Sequence, residues 1–364
     1  MKYFIVAGEK SGDMHAANLC LELLKLQPEV EMMGWGGEKM EAAGVKILKK
    51  YSELAFMGFW EVIINLPVIL GFLKLAKKQI QDFQPDVVIL VDYAGFNLKI
   101  AKWAKNKGYK VVYYIAPKAW AWRASRAEII KKYVDLLLVI FPFEKAFFEK
   151  YGINTRFVGN PLFDEIAKFE TNPNFRKESG LTGKPIVALL PGSRKQEIEN
   201  MLQLMANLTK EYIDIQWVVA GVSSFDIGLY TKADGDFSVV FDRTYDLLSV
   251  ATAAVVTSGT ATLETALFKV PQVVVYKTSN FSYQIAKRLV QIKYISLVNL
   301  VAQKEVVKEL IQDEYSLENT KKELEKLLFD NKFRDNQLMQ YTGIIETLGK
   351  SRASANAALE ILKL

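Results

Sequence analysis

Asp92 is the residue with the plainest capacity for chemistry. It follows the apolar run Val87 to Val91. In a parallel sheet a carboxylate just past a buried strand sits at the carboxyl edge, where it can take a proton from a hydroxyl. Asn97 could orient Asp92 or an acceptor, and the competing reading of Asp92 is an N-cap for the helix that starts near Phe96. Two small-residue turns offer a second kind of chemistry, anion binding. Gly8-Glu9-Lys10-Ser11-Gly12-Asp13 follows the strand Lys2 to Ala7, and Pro191-Gly192-Ser193-Arg194 follows the strand Ile186 to Leu190. Glycine in such a turn lets backbone N–H groups and the positive end of the next helix approach an anion. Glu9 and Asp13 would repel a phosphate, so the first turn suits a sugar or hydroxyl acceptor, with Ser11 and Asp13 as binding groups and Glu9 assisting Asp92.

A third turn, Ser258-Gly259-Thr260-Ala261-Thr262-Leu263-Glu264, follows the strand Ala253 to Val256. It should converge with Gly192-Ser193-Arg194 at the carboxyl edge of one sheet. Their backbone donors can hold a diphosphate, Arg194 can add a charge-assisted pair, and Glu264 can accept from ribose hydroxyls. Either turn alone has a capped helix start as its competing reading, and their pairing favours binding. Trp120-Ala121-Trp122-Arg123 can wall an acceptor pocket, Arg123 meeting an anionic group, with core packing as the alternative. Asp234-Gly235-Asp236 reads as a solvated turn, and no metal or other cofactor is expected. With one histidine, His15, there is no zinc signature and no Ser-His-Asp set. The glycine spacing is not that of a dinucleotide fingerprint.

The elements that must carry these turns alternate in a βαβ rhythm. Val87 to Val91, Val111 to Ile115, Leu136 to Ile140 and Arg156 to Val158 read as strands, with helices Phe96 to Lys107, Ser125 to Lys132 and Phe143 to Tyr151 between them. After Gly159-Asn160-Pro161 the composition turns polar through Asn172-Pro173-Asn174 and Thr182-Gly183-Lys184-Pro185, which reads as a linker. The rhythm resumes with Ile186 to Leu190, Ile215 to Ala220, Ser238 to Phe241, Ala253 to Val256 and Val273 to Tyr276. The expectation is an α/β chain of two facing, doubly wound, Rossmann-like domains. Residues 1–165 form the acceptor and lipid domain and 166–340 the domain for a nucleotide sugar, while a tail helix in 341–364 crosses back to the first.

The 364 residues carry a net charge of +6, which favours anionic partners; the lysines are scattered, and no basic block interleaved with aromatics points to nucleic acid. The lone Cys20 rules out an internal disulfide and fits a reducing compartment. The apolar start stops at Gly8-Glu9, too brief for a signal peptide. Met57 to Leu75 is apolar yet interrupted by Glu61, Asn65 and Pro67, too short to span a bilayer. With Pro67 in a helix's first turn, Ile63, Leu66 and Leu70 continue into Lys74, Lys77 and Lys78 on one face. That stripe suits an anionic membrane surface, and cover by a partner subunit or a loop is the alternative.

These blocks together resemble the lipid-A-disaccharide synthase family. The likeness runs from Ala7 to about Leu310: Ala7 to Asp13, Met57-Gly58 with Glu61-Val62, Tyr114 with Pro117, Trp120 to Arg123, Phe141 to Glu144, Leu190 to Arg194, Ser258 to Glu264, and Ser296-Leu297 with Asn299-Leu300. The resemblance implies a GT-B fold and an inverting transfer of 2,3-diacylglucosamine from UDP to the 6-hydroxyl of 2,3-diacylglucosamine 1-phosphate. The product is a β-1,6 disaccharide made at the cytoplasmic face of a Gram-negative inner membrane. It implies Asp92 with Glu9 as catalytic groups and adds Asn299 to Gly192, Ser193, Arg194, Ser258, Gly259, Thr260 and Glu264 on the donor side. The chain departs from the family's usual residues at Ala94-Gly95, Asn160, Val298 and Gln303-Lys304, the last standing where Gly-Arg is expected. The alternatives are another UDP-N-acetylglucosamine enzyme of the same fold, either a polyprenyl-acceptor transferase or a 2-epimerase, or a non-catalytic two-lobed binding protein. A homodimer is left open.

Overall fold

Tyr3 to Ala7 are wholly removed from solvent, the condition of a central strand covered on both faces. Alternation assigns Phe4 and Val6 to one core layer and Tyr3, Ile5 and Ala7 to the other. The computed structural model describes residues 1–54, 66–117, 119, 125–279, 283, 293–349 and 352–364. They divide into two units, Met1–Ala167 with Leu348–Leu364, and Lys168–Thr347.

In the first unit the order is β1 (Lys2–Ala7), α1 (Lys10–Leu26), β2 (Glu31–Gly36), α2 (Glu38–Ala42), β3 (Lys46–Lys50), α3 (Leu66–Phe83), β4 (Val87–Val91), α4 (Ala94–Asn106) and β5 (Lys110–Tyr114). Then come α5 (Ser125–Tyr133), β6 (Leu136–Val139), α6 (Pro142–Glu149), β7 (Thr155–Phe157) and α7 (Pro161–Ile166). The parallel sheet runs β3-β2-β1-β4-β5-β6-β7. Strand order reverses between β1 and β4, whose register pairs Ala7 with Val91. Loops after these two strands therefore flank the crevice where open α/β sheets take ligands.

The second unit repeats the plan with β8 (Ile186–Leu190), α8 (Lys195–Leu208), β9 (Gln216–Gly221), β10 (Ser238–Phe241), α9 (Thr244–Val250), β11 (Ala253–Thr257), α10 (Thr260–Leu267) and β12 (Gln272–Tyr276). It closes with α11 (Leu297–Ala302), β13 (Glu309–Ile311), α12 (Leu317–Phe329) and α13 (Asn331–Leu348). Its sheet, β10-β9-β8-β11-β12-β13, is parallel and reverses between β8 and β11. The turns at 191–194 and 258–260 leave those two strands.

The structure differs from the sequence reading at three places. The stretch after Gly159-Asn160-Pro161 opens with a helix before any linker: the Asn160 side chain accepts from the Leu162 N–H (3.0 Å), and Pro161 opens α7. Residue 341 falls inside α13, and the chain rejoins the first unit at Leu348. There α14 (Ala353–Leu362) packs on α1 and α7, with the Asp164 carboxylate accepting from the N–H groups of Arg352, Ala353 and Ser354. The strand β2 was missed because Gly34 and Gly36 interrupt its apolar pattern; an added Cβ at Gly34 would lie 1.9 Å from the Ile5 carbonyl oxygen.

Gln303 ends α11 with φ +55°, a left-handed position that glycine occupies without strain. Gln303→Gly should therefore raise the stability of the second unit by about 1 kcal/mol, read as an increased denaturation midpoint at unchanged slope. An unchanged or lower midpoint would show that the glutamine backbone is not strained there.

Candidate functional site

The first cluster gathers at the β1/β4 reversal. Asp92 and Tyr93 both adopt left-handed backbone, φ +47° and +46°. Two consecutive non-glycine residues in that region store strain of about 1–3 kcal/mol each, and surrounding bonds must hold them there. The Asp92 N–H donates to the Tyr114 carbonyl (3.0 Å), and its own carbonyl accepts from the Tyr113 hydroxyl (2.6 Å) and the Asn97 amide (2.9 Å). Asn97 is fully buried and also donates toward the carbonyls of Val6 (3.3 Å) and Val91 (3.2 Å). Asn97 thus ties the ends of β1 and β4 to the Asp92 turn; it is a positioning residue and has no access to an acceptor. Asp92 itself is half-buried, at the edge of the sheet rather than sealed beneath it.

Tyr93 closes on the first turn. A Cβ at Gly8 would sit 2.3 Å from its ring, so this glycine is required by close approach. Burial pushes the Tyr93 hydroxyl's pKa up, and the nearby Glu9 carboxylate adds to the rise. Glu9 is half-buried and forms the N-cap of α1 without a side-chain capping bond, and Ser11 is exposed one turn in. Glu9, Tyr93 and Asp92 therefore occupy one neighbourhood.

Asp13 has a different task from the one its motif implied. It is buried, and its carboxylate accepts from the N–H groups of Gly37 (2.6 Å), Lys39 (3.2 Å) and Met40 (3.2 Å), capping the start of α2. A carboxylate committed to three backbone donors inside the fold is not an acceptor ligand. His15 lies in α1, its pKa lowered by burial to about 4, so the imidazole is neutral at physiological pH. Burial pushes the Cys20 thiol up to about 12, the state of an unreactive core residue. Trp120, Trp122, Arg123 and Ile63 lie outside the described residues.

The second cluster gathers at the β8/β11 reversal, around a cavity of about 270 Å³. Gly192, Ser193 and Glu197 line it from one turn, Thr257, Ser258, Gly259, Thr260 and Glu264 from the other. The convergence expected of the two turns is thus present within this unit. α10 begins at Thr260 with no side-chain cap on its N-cap Gly259, leaving a helix start able to meet an anion. The Ser258 hydroxyl donates to the Ile295 carbonyl (2.9 Å), which pins the turn to the loop before α11. Arg194 is the N-cap residue of α8, but its side chain is 70% exposed and paired with Glu197 (3.3 Å); it does not line the cavity.

Asn299 also departs from expectation. It is fully buried in α11; its oxygen accepts from Val306 N–H (2.7 Å) and Val307 N–H (3.0 Å), while its amide donates to the Val307 carbonyl (2.9 Å) and the Glu309 carboxylate (2.8 Å). Glu309 collects Ser296 and Ile295 donors as well. Every polar valence of Asn299 is used inside the unit, so it braces the loop that carries Ile295 and cannot hold a donor sugar. Glu197, Thr244 and Thr257 line the cavity without having been singled out; Glu197 was legible as the acidic residue three positions after the N-cap.

Burial raises the pKa of Glu264 to about 7. Its protonated form stabilises the ligand-free protein fully below about pH 4.5, and that stabilisation is lost as pH rises through about 7. If Glu264 receives two ribose hydroxyls, the ionised form, whose two oxygens both accept, is the one that binds them well. Uridine, which has no phosphate to titrate, should therefore bind about tenfold more tightly at pH 8 than at pH 6, with the dependence gone in Glu264→Gln. Isothermal titration across that range checks it, and a flat wild-type profile would remove Glu264 from the ribose site.

Elsewhere in the first unit, α3 buries Leu73, Ala76, Ile80 and Phe83 and leaves Val68 (42%), Leu70 (53%) and Leu75 (37%) exposed beside Lys74 and Lys78. Lys77 is half-buried, and Leu66 contributes backbone alone to the described helix. Among the described residues no helix is long and apolar enough to cross a membrane, and no group of three or more His, Cys, Asp or Glu side chains could hold a metal ion. Asp234 is paired with Lys210 (2.6 Å).

Solved structures share the fold throughout. The UDP-GlcNAc 2-epimerase from Neisseria meningitidis bound to UDP-GlcNAc matches with a TM-score of 0.70 at 14% identity over all of both chains. The glycotransferase of kitacinnamycin matches at 0.65 and 14%, covering 100% of this chain and 98% of that one. Two parallel-sheet Rossmann-like domains, each with glycine-containing turns at its strand-order reversal, define a protein of the GT-B fold class. A family profile described as lipid-A-disaccharide synthetase matches residues 3–361. The lipid-A-disaccharide synthases of Geobacter sulfurreducens and Nitrosococcus oceani are each 38% identical, covering 100% and 99% of this chain and 97% and 95% of their own lengths, and that of Myxococcus xanthus is 36% identical. The chain belongs to the lipid-A-disaccharide synthase family, whose members are glycosyltransferases.

Proposed function

We propose that this protein transfers 2,3-diacylglucosamine from UDP to the 6-hydroxyl of 2,3-diacylglucosamine 1-phosphate. Asp92 takes the proton of that hydroxyl as its oxygen bonds to the donor's anomeric carbon. The bond from that carbon to the diphosphate breaks, UDP leaves with the electron pair, and configuration inverts from α to β. The observation that carries the reading is the half-buried Asp92 held on a strained turn at one strand-order reversal, in a chain whose other reversal forms a donor-lined cavity.

UDP binds in the second unit on the N–H groups of Ser193 and of the start of α10, with Glu264 on the ribose. Developing charge on the leaving diphosphate is met by those fixed dipoles, so the reaction needs no divalent ion, and activity should survive chelation. The 2-epimerase reading has only the shared fold behind it, whereas the full-length relatives at 36–38% identity are lipid-A-disaccharide synthases. Incubation with both lipid sugars should release UDP in step with disaccharide. UDP release without acceptor, or epimerised donor, would contradict the reading.

The exposed stripe of α3 serves as a reversible contact with anionic phospholipid at the cytoplasmic face of the inner membrane, where both lipid substrates reside. Insertion of two or three apolar side chains at about 1.5–3 kcal/mol each is enough for such attachment. Replacing Val68, Leu70 and Leu75 by Ser should lower co-sedimentation with anionic vesicles by more than about tenfold while leaving UDP binding intact. Unchanged co-sedimentation would place the membrane contact elsewhere.

A further inference from the structure

Glu197 places a carboxylate where the diphosphate turn would receive its ligand. Its Oε2 accepts from the backbone N–H groups of Ser193 (3.2 Å) and Arg194 (3.3 Å), and its Oε1 lies 3.3 Å from the Arg194 guanidinium. The contact is built into the turn. Gly192 holds φ +117°, and a Cβ there would come within 2.6 Å of Oε2 and 2.7 Å of the Glu197 Cβ, so only glycine lets this side chain fold back. Glu197 reaches one residue beyond the N-cap, which an ordinary capping box does not require, and it lines the cavity opposite Ser258, Gly259 and Thr260. Three features of an anion site, two adjacent N–H donors, a guanidinium and a glycine, are thus satisfied by the protein's own anion.

We propose that Glu197 is a displaceable internal anion that competes with the diphosphate for the Ser193 and Arg194 donors, weakening UDP retention and so hastening product release. The inference rests on the donor-site reading above. When UDP enters, its phosphate oxygens replace the carboxylate on the two N–H groups; when the glycosyl bond has broken, the carboxylate returns as UDP departs. Glu197 touches neither the sugar nor the acceptor, so it is a positioning and affinity-setting residue.

Glu197→Gln keeps an oxygen able to accept from the turn but removes the charge. UDP should bind this variant about fivefold to tenfold more tightly than wild type, with uridine affinity unchanged, and the gain should shrink as salt rises from 50 mM to about 500 mM. Isothermal titration gives the affinities, and stopped-flow displacement should show the gain mainly as slower UDP dissociation. Glu197→Ala, which leaves both N–H groups open at some cost in helix capping, is the second variant and should also hold UDP more tightly. Equal or weaker UDP binding in the folded variants, or equal changes for UDP and uridine, would overturn the role of Glu197 alone. A wild-type protein that binds no UDP would remove the donor-site reading and this inference together.

Discussion

Asp92→Asn should lower kcat by about 10²- to 10⁴-fold, the range typical of a lost general base, while UDP affinity stays at the wild-type value. Asparagine is the informative replacement because it tolerates left-handed backbone nearly as well as aspartate does. The turn, with φ +47° at Asp92 and its bonds to Tyr113, Tyr114 and Asn97, then survives and only the proton acceptor is lost. Alanine would add backbone strain to the chemical defect and blur the two. The split to look for is a collapsed kcat with KM for donor little changed. Wild-type turnover in a folded Asp92→Asn protein would transfer the base role to another group, Glu9 being the carboxylate that shares the Tyr93 neighbourhood.

Asp13→Ala should have the largest effect on stability. It removes one buried carboxylate and strands three backbone N–H groups at the start of α2, a loss of about 2–4 kcal/mol. Asp13→Asn, which keeps an acceptor oxygen, should lose less. If Asp13 only caps α2, the fraction of either variant that remains folded should retain wild-type kcat and KM for acceptor. A stable Asp13→Ala protein with a raised acceptor KM would return this residue to the binding site. Chemical denaturation followed alongside turnover separates the two outcomes.

Asp13 and Asn299 show what a motif hides. Each lies in a block of sequence shared with the family, and each is a short polar side chain at the edge of a helix, the profile of a ligand-binding group. What decides their roles is a partner outside the helix that carries them: Gly37 to Met40 for Asp13, and the 306–309 stretch for Asn299. Nothing local signals that their hydrogen-bonding capacity is already full. Arg194 fails for a related reason, because the residue three positions on, Glu197, draws the guanidinium outward.

The parts that were legible are those governed by short-range rules. Apolar runs marked most strands of both parallel sheets, though not β2, β3 or β13. The doubly wound rhythm put Asp92 and the turns at 192–194 and 258–264 at a carboxyl sheet edge, whereas the strand-order reversals that flank them are seen only in the folded sheets. The spacing of Leu70, Lys74 and Lys78 predicted a shared exposed face on α3, and they are exposed. Tyr93 escaped notice because its importance comes from packing on Gly8, a contact between residues far apart in sequence.

A crystal structure with UDP bound tests the account's central claim most directly, because the location of the diphosphate fixes which unit carries the donor. The account predicts phosphate oxygens on the N–H groups of Ser193 and the start of α10, with the ribose hydroxyls on Glu264 and the Glu197 carboxylate withdrawn from the turn. A uridine nucleotide seated away from the β8/β11 reversal, with Ser193 and Glu264 untouched, would contradict it.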